Sequence, residues 1–226
     1  MSMRAAFFDI DGTLTSERTW KGIMDYFRQN RLRRGTHLAF LSAHYPLYYM
    51  RRLGLISESA FRSPWAAHLA WYVRGYTPRL AEPVWEWVVE RFLAQYWRLD
   101  TRRLLQEHLD AGDMVMLVSA APLPLVQHIG REVGAQHAAG TRFELRGGRY
   151  TGRAVPPVVI DEGKAQATQA MLQAQGLSVD LPASFSYADS ISDRSFLEMV
   201  GYPVAVYPDD ALRLLASERG WRIFPE

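Results

Sequence analysis

A chain of 226 residues is long enough for one domain carrying an insertion or for two small ones, and 48% hydrophobic with 22% charged residues is the make-up of a globular protein, not a disordered or fibrous one. A formal charge of only +2 argues against the broad electrostatic attraction that nucleic-acid binding rests on, and the absence of cysteine excludes disulfides, thiolate metal sites and a cysteine nucleophile. No export pattern and no run of about 20 apolar residues is visible, so a soluble, cytoplasmic protein without a transmembrane segment is expected.

Arg4 to Phe8 is a short apolar run that ends abruptly at Asp9, Asp11 and Gly12, as a buried parallel strand does when it delivers polar residues to the edge of a sheet. From Thr15 to Trp97 the pattern turns helical. Trp65, Leu69, Tyr72, Val73 and Tyr76 follow helical spacing, as do Trp85, Val88, Val89, Phe92 and Tyr96. Gly54, the Gly75 region, Pro64, Pro78 and Pro83 divide this stretch into about four helices. After Asp100, strands and helices alternate: a helix from Thr101 to Ala111 capped by Asp100, a strand Met114 to Val118 leading to Ser119, a hairpin turning at Gly147 and Gly148, and a helix Lys164 to Ala174. Further strands run from Phe185 to Ala188, ending at Asp189, and from Pro203 to Tyr207, with a last one near Trp221 to Phe224. The pattern predicts an α/β fold, a doubly wound parallel sheet whose ligand site lies beyond the carboxyl ends of the strands, with an all-helical insertion after the first strand placed as a lid.

Three predicted strand ends carry residues suited to phosphoryl transfer, which needs an in-line nucleophile, positive charge for the equatorial oxygens and a proton source for the leaving oxygen. Asp9 can attack phosphorus as a carboxylate, and Asp11 can protonate the departing alkoxide. Asp9 and Asp189 can hold Mg²⁺, which takes one or two carboxylates together with substrate phosphate and waters. Ser119, with the Ala120 backbone N–H at a helix start, and Lys164 can hold phosphate oxygens. Lys164 is one of only two lysines, the other being Lys21. Asp193 can hold Lys164 or a bound water in position.

Phe7-Phe8-Asp9-Ile10-Asp11-Gly12-Thr13-Leu14-Thr15 resembles the first motif of the haloacid dehalogenase superfamily. Leu117-Val118-Ser119 resembles the second motif, Lys164 the third, and Tyr187-Ala188-Asp189-Ser190-Ile191-Ser192-Asp193 the fourth. With the helical insertion, a cap of the type called C1, the chain is similar to the subfamily IB branch that includes phosphoserine phosphatase. The resemblance implies a Rossmann-like core of residues 1–15 and 98–226, a cap of residues 16–97, and Asp9, the Asp11 backbone carbonyl and Asp189 as Mg²⁺ ligands. It also points to a substrate-selecting glutamate and arginine near Glu17 or Arg18. The chain departs from phosphoserine phosphatases at Gly12, where they usually carry serine, at Ala120 and Ala121, where they carry two glycines, and within the fourth motif.

The expected activity is Mg²⁺-dependent hydrolysis of a small phosphomonoester, phosphoserine or a related metabolite first, through an aspartyl phosphate on Asp9. A lipid-derived phosphate is the second substrate class, prompted by the aromatic cap and Arg51-Arg52, and phosphotransfer to a second alcohol is a sister reaction. A silent, phosphate-binding protein is the alternative from another class, against which intact Asp9, Asp11, Lys164 and Asp189 argue. The aromatic cap residues read first as bundle core, with a pocket for an apolar substrate and peripheral membrane contact the lesser readings. The six histidines fall at no metal-ligand spacing and read as structural. Oligomeric state has no signature in the sequence.

Overall fold

Four apolar residues, Ala5–Phe8, form a fully buried strand, β1; in the computed structural model, which describes residues 2–225, that strand lies at the middle of a seven-stranded sheet. The other strands are β2 (Met114–Pro122), β3 (His137–Arg146), β4 (Arg149–Val155), β5 (Phe185–Ala188), β6 (Tyr202–Val206) and β7 (Arg222–Phe224), in the order β4-β3-β2-β1-β5-β6-β7. All neighbours are parallel except β4, which returns antiparallel to β3 through Gly147 and Gly148, both at positive φ. Because β1 pairs with β2 on one side and β5 on the other, the winding reverses at β1. A crevice opens at such a point beyond the strand ends.

Alternation along the strands feeds two cores. Ala6, Phe8, Val115 and Leu117 face one layer, which includes α5 (Leu99–Asp110) and α6 (Leu123–Val133). Ala5, Phe7, Met114 and Met116 face the other, with α7 (Glu162–Ala174), α8 (Arg194–Leu197) and α9 (Asp210–Arg219). This is the doubly wound α/β fold that the strand pattern predicts.

Between β1 and β2 the chain is helical: α1 (Thr19–Gln29), α2 (Arg34–Arg52), α3 (Glu58–His68) and α4 (Pro78–Trp87). Its interior continues the first core, with Phe27, Phe40, Tyr72 and Trp85 buried in one cluster with Phe8 and Leu117. Among the described residues no helix is long and apolar enough to cross a membrane.

Several local expectations are corrected. Pro64 and Pro83 do not end helices but lie inside α3 and α4; after Pro83 the burial of Val84 and Trp85 offsets the lost hydrogen bond. The run Trp65 to Tyr76 is not one helix, since α3 gives way to a 3₁₀ segment at Leu69–Val73. The run Trp85 to Tyr96 passes from α4 through a widened π turn, Val88–Phe92, into a 3₁₀ turn. The widened turn presses on α1 at Gly22, where a Cβ would stand 2.7 Å from Phe92. Asp100 does not cap α5: Arg98 holds that position, and the Asp100 carboxylate accepts from Thr101 N–H at 2.8 Å and from the Tyr207 hydroxyl.

Candidate active site

The site begins where β1 ends. Asp9 is anchored by its N–H to the Tyr187 carbonyl on β5 (2.9 Å), so its side chain leaves the sheet at the crevice. Lys164, in the first turn of α7, reaches across the strand ends and donates to Asp9 Oδ1 at 2.6 Å and to Asp193 Oδ2 at 2.7 Å. All three are buried. Thr13 Oγ1 donates to Asp9 Oδ2 at 3.4 Å. Asp189 follows β5, and one carboxylate oxygen from each of Asp9, Asp189 and Asp193 lies within 4.8 Å of the others. Thus residues separated by up to 184 positions meet at one point.

Gly12 makes that meeting possible. Its φ of +104° is unfavourable for any residue with a side chain, and a Cβ there would stand 1.9 Å from Asp189 Oδ2. The turn also aims Asp11 at the start of α1. There Thr19 N–H donates to Asp11 Oδ1 at 2.8 Å and Thr19 Oγ1 to Oδ2 at 2.9 Å. The Asp11 side chain is therefore oriented from the helical segment, apart from the three-carboxylate group.

Arg18 is placed between these parts. Its guanidinium donates to the Asp11 backbone carbonyl and, at 3.3 Å, to Asp189 Oδ2. Glu17 turns away, accepting from Lys21 at 2.9 Å. Of the two residues near the expected selecting position, Arg18 lines the cavity. Ser119 and Ala120 also line it, but both sit within β2, and the following helix begins only at Leu123. The expectation that they open a helix is corrected: β2 runs to Pro122, so no helix N-terminus stands behind them. Ser119 Oγ accepts from Ala121 N–H at 3.2 Å, which leaves its own proton to donate.

Charge is crowded here. Burial, reinforced by the Asp9 carboxylate, pushes Asp11 up to about 6. The same two causes raise Asp189. Burial also raises Asp193 despite Lys164 beside it. For Lys164, burial alone would favour the neutral amine, yet Asp193 and Asp9 outweigh it and keep the ammonium charged. Four carboxylates thus face two close cations, Lys164 and Arg18. Asp193 Oδ1 is buried with no hydrogen-bond partner, a costly arrangement for an anionic oxygen. Hard oxygen donors, excess negative charge and an orphaned carboxylate oxygen fit a divalent cation such as Mg²⁺.

These groups form one end of a cavity of about 700 Å³. The other end belongs to the helical segment and includes Trp20, Met24, Leu41, His44, Phe61 and Trp65. Sequence reasoning weighed an apolar-substrate pocket in the helical segment but ranked it below bundle core and did not single these residues out, because large residues at helical spacing look the same whether they face a core or a cavity. Arg62 was missed as well; it reaches from α3 to Ser192 Oγ at 2.6 Å, tying the helical segment to the fourth motif. His44 needs no ligand: its Nδ1 donates to the Phe40 carbonyl at 2.7 Å and its Nε2 accepts from His68 at 3.2 Å.

Residues 6–198 match the haloacid dehalogenase-like hydrolase family. The chain belongs to that family. A Mycobacterium tuberculosis relative named phosphoserine phosphatase SerB1 is 33% identical over 225 residues, 97% of this chain and 70% of its own. A Neisseria meningitidis relative named histidinol-phosphatase is 28% identical over 229 residues, 96% of each chain. Among solved structures, a Bordetella pertussis protein of unknown function superposes with a TM-score of 0.83 at 27% identity, over 99% of this chain and 98% of the other. This haloacid dehalogenase-like hydrolase is a phosphatase acting on phosphomonoesters.

Proposed function

We propose that the protein hydrolyses a small phosphomonoester in a Mg²⁺-dependent reaction through an aspartyl phosphate on Asp9, with residues 16–97 acting as a cap over a core of residues 1–15 and 98–226. The observation that carries this reading is the Asp9–Lys164–Asp193 chain of contacts at 2.6 and 2.7 Å beside Asp11, a carboxyl near 6. One buried carboxylate is held by a cation, and a second is held apart from it and poised to carry a proton.

Asp9, the Asp11 carbonyl and Asp189 would hold Mg²⁺, with Asp193 supporting Lys164. When bound, the cation offsets repulsion between the substrate phosphate and the carboxylates and draws charge from the phosphoryl oxygens. Lys164, the Ser119 hydroxyl and the Ala120 N–H orient the phosphate. An Asp9 oxygen attacks phosphorus as the bond to the leaving oxygen breaks, and Asp11 gives that oxygen its proton. Asp11, now a carboxylate held by Thr19, takes a proton from the water that attacks the Asp9-bound phosphorus. Inorganic phosphate leaves, and Asp9 and Asp11 return to their starting states.

Rapid acid quench with a ³²P-labelled ester tests this. Wild type with Mg²⁺ should retain label on protein, released by hydroxylamine as an acyl phosphate is, and Asp9→Asn should retain none. Equal turnover by wild type and Asp9→Asn would remove Asp9 as nucleophile. Product analysis with an added alcohol separates hydrolysis from phosphotransfer.

A further inference from the structure

The proposed chemistry leaves the cap end of the cavity unexplained. The leaving oxygen must lie beside Asp11, since that carboxyl supplies its proton. Asp11 is gripped by Thr19 N–H and Oγ1 at 2.8 and 2.9 Å, and the next residue, Trp20, lines the cavity. Asp11 and Trp20 line the same cavity, so whatever is attached to the leaving oxygen is housed in the space that Trp20 helps to wall. Trp20 meets Trp65 edge to face, with ring centroids 4.9 Å apart at 75°. Trp65 lies 5.5 Å from Phe61, and Phe61 lies 6.2 Å from Tyr48. Tyr45 completes the aromatic wall.

Three kinds of leaving group can be weighed against that wall. A zwitterionic amino-acid portion requires an unengaged carboxylate for its ammonium and an unengaged cation for its carboxylate. Glu58, the carboxylate near the wall, is paired with Arg51 at 2.6 Å, and that guanidinium lies over Tyr48 and Phe61, 5.5 and 5.3 Å from their centroids. Arg62 is committed to Ser192. Arg18 bonds Asp189 and the Asp11 carbonyl, groups proposed for Mg²⁺, so a bound cation would free it for a carboxylate, but the ammonium of a zwitterion would still have to draw Glu58 away from Arg51. A cavity of about 700 Å³ is also the size that encloses a drug-sized ligand, far larger than a phosphorylated three-carbon amino acid requires. A long alkyl chain would be accommodated by aliphatic walls as well as by these. Flat faces at edge-to-face spacing reward a flat, ring-bearing group beyond its area alone. The ring is set on an aliphatic link, because proton donation by Asp11 assists a poor alkoxide leaving group and adds little for a phenolate.

We infer that the cavity selects a phosphomonoester whose leaving group carries an aromatic or heteroaromatic ring on a short alkyl link, with Trp20 and Trp65 as the specificity-determining residues. The inference rests on the phosphatase reading above and names the substrate class of that site. The test compares kcat/KM with Mg²⁺ for 2-phenylethyl phosphate, its saturated counterpart 2-cyclohexylethyl phosphate, ethyl phosphate, O-phosphoserine and a detergent-dispersed lysophosphatidate. The phenylethyl ester should exceed ethyl phosphate and phosphoserine by about a hundredfold, and the cyclohexyl ester by about fivefold, mostly through KM. Trp65→Leu, and separately Trp20→Leu in case one fails to fold, should cut the phenylethyl-to-ethyl ratio about tenfold. Equal rates for the phenyl and cyclohexyl esters would show a merely apolar cavity and overturn the inference, as would a preference for phosphoserine or for the lysophosphatidate. Those outcomes leave the phosphatase reading intact. Failure to cleave any of the five, ethyl phosphate included, would defeat that reading and the inference with it.

Discussion

The two ends of the cavity are built by opposite means. At the sheet end, Asp9, Lys164, Asp189 and Asp193 are buried and drawn from three separate stretches of chain, with Lys164 bonded to Asp9 and Asp193 and Asp189 close beside them. At the helical end a continuous stretch, residues 19–69, supplies the wall, which is rich in aromatic side chains. Electrostatics organises the first end, where ion pairs and donors hold the carboxylates and one oxygen, Asp193 Oδ1, is left without a partner. Packing organises the second, where rings meet at 5 to 6 Å and the surface presented depends on how four helices settle. Chemistry is thereby separated from selection: the charged end can stay constant while the aromatic end changes by substitution within helices.

That contrast can be broken at several points. The largest effect belongs to Asp11→Asn, which removes the proposed proton carrier while keeping acceptor and shape; kcat for an alkyl phosphate should fall about 10²- to 10⁴-fold with KM little moved in steady-state assays. A wild-type kcat would place the reactive end elsewhere. Trp85→Ala addresses the other end. Trp85 is fully buried in the cluster joining the helical segment to the sheet, so urea unfolding should show a loss of about 3–5 kcal/mol, and a loss below about 1 kcal/mol would mean the helices pack independently of the core.

Arg18 links the two ends, and its contacts to Asp189 and the Asp11 carbonyl use groups proposed for the cation. Arg18→Ala should tighten Mg²⁺ binding about tenfold by calorimetry, the worth of one contact to a charged group. Unchanged or weaker binding would show that Arg18 does not compete with the ion. The smallest effect concerns pH. Asp11 titrates near 6 in the fold against about 4 in an unfolded chain, and Asp189 is likewise raised. The folded state then binds more protons between these values, and without a cation stability falls as pH rises through that window. A cation that binds the ionised carboxylates offsets this loss, so the Mg²⁺-induced rise in Tm should be a few degrees greater at pH 8 than at pH 5. An equal rise at both would separate the ion from these carboxylates.

Legibility followed locality. Asp9, Asp11 and Gly12 stand together directly after an apolar strand, and the turn that places them is written within four residues. Lys164, Asp189 and Asp193 could be chosen because each follows a readable strand or helix signal. Trp20 could not, since its importance comes from being the neighbour of Thr19, whose contact with Asp11 no periodicity announces. Ser119 lost its expected helix start because parallel pairing with β3 keeps β2 extended as far as Pro122. Asp100 is not the expected cap because α5 begins one residue earlier, at Leu99, and its carboxylate also meets a hydroxyl 107 positions away.

The linear order of residues determined the strand and helix alternation, the doubly wound class and the acidic chemistry at the strand ends, because hydrophobic periodicity and turn residues act over a few positions. Only the folded chain decided that Arg18 stands against Asp189, that Thr19 holds the Asp11 carboxyl and that aromatic faces wall a cavity. Those outcomes depend on which surfaces remain uncovered once helices have packed, and that is a property of the assembled volume.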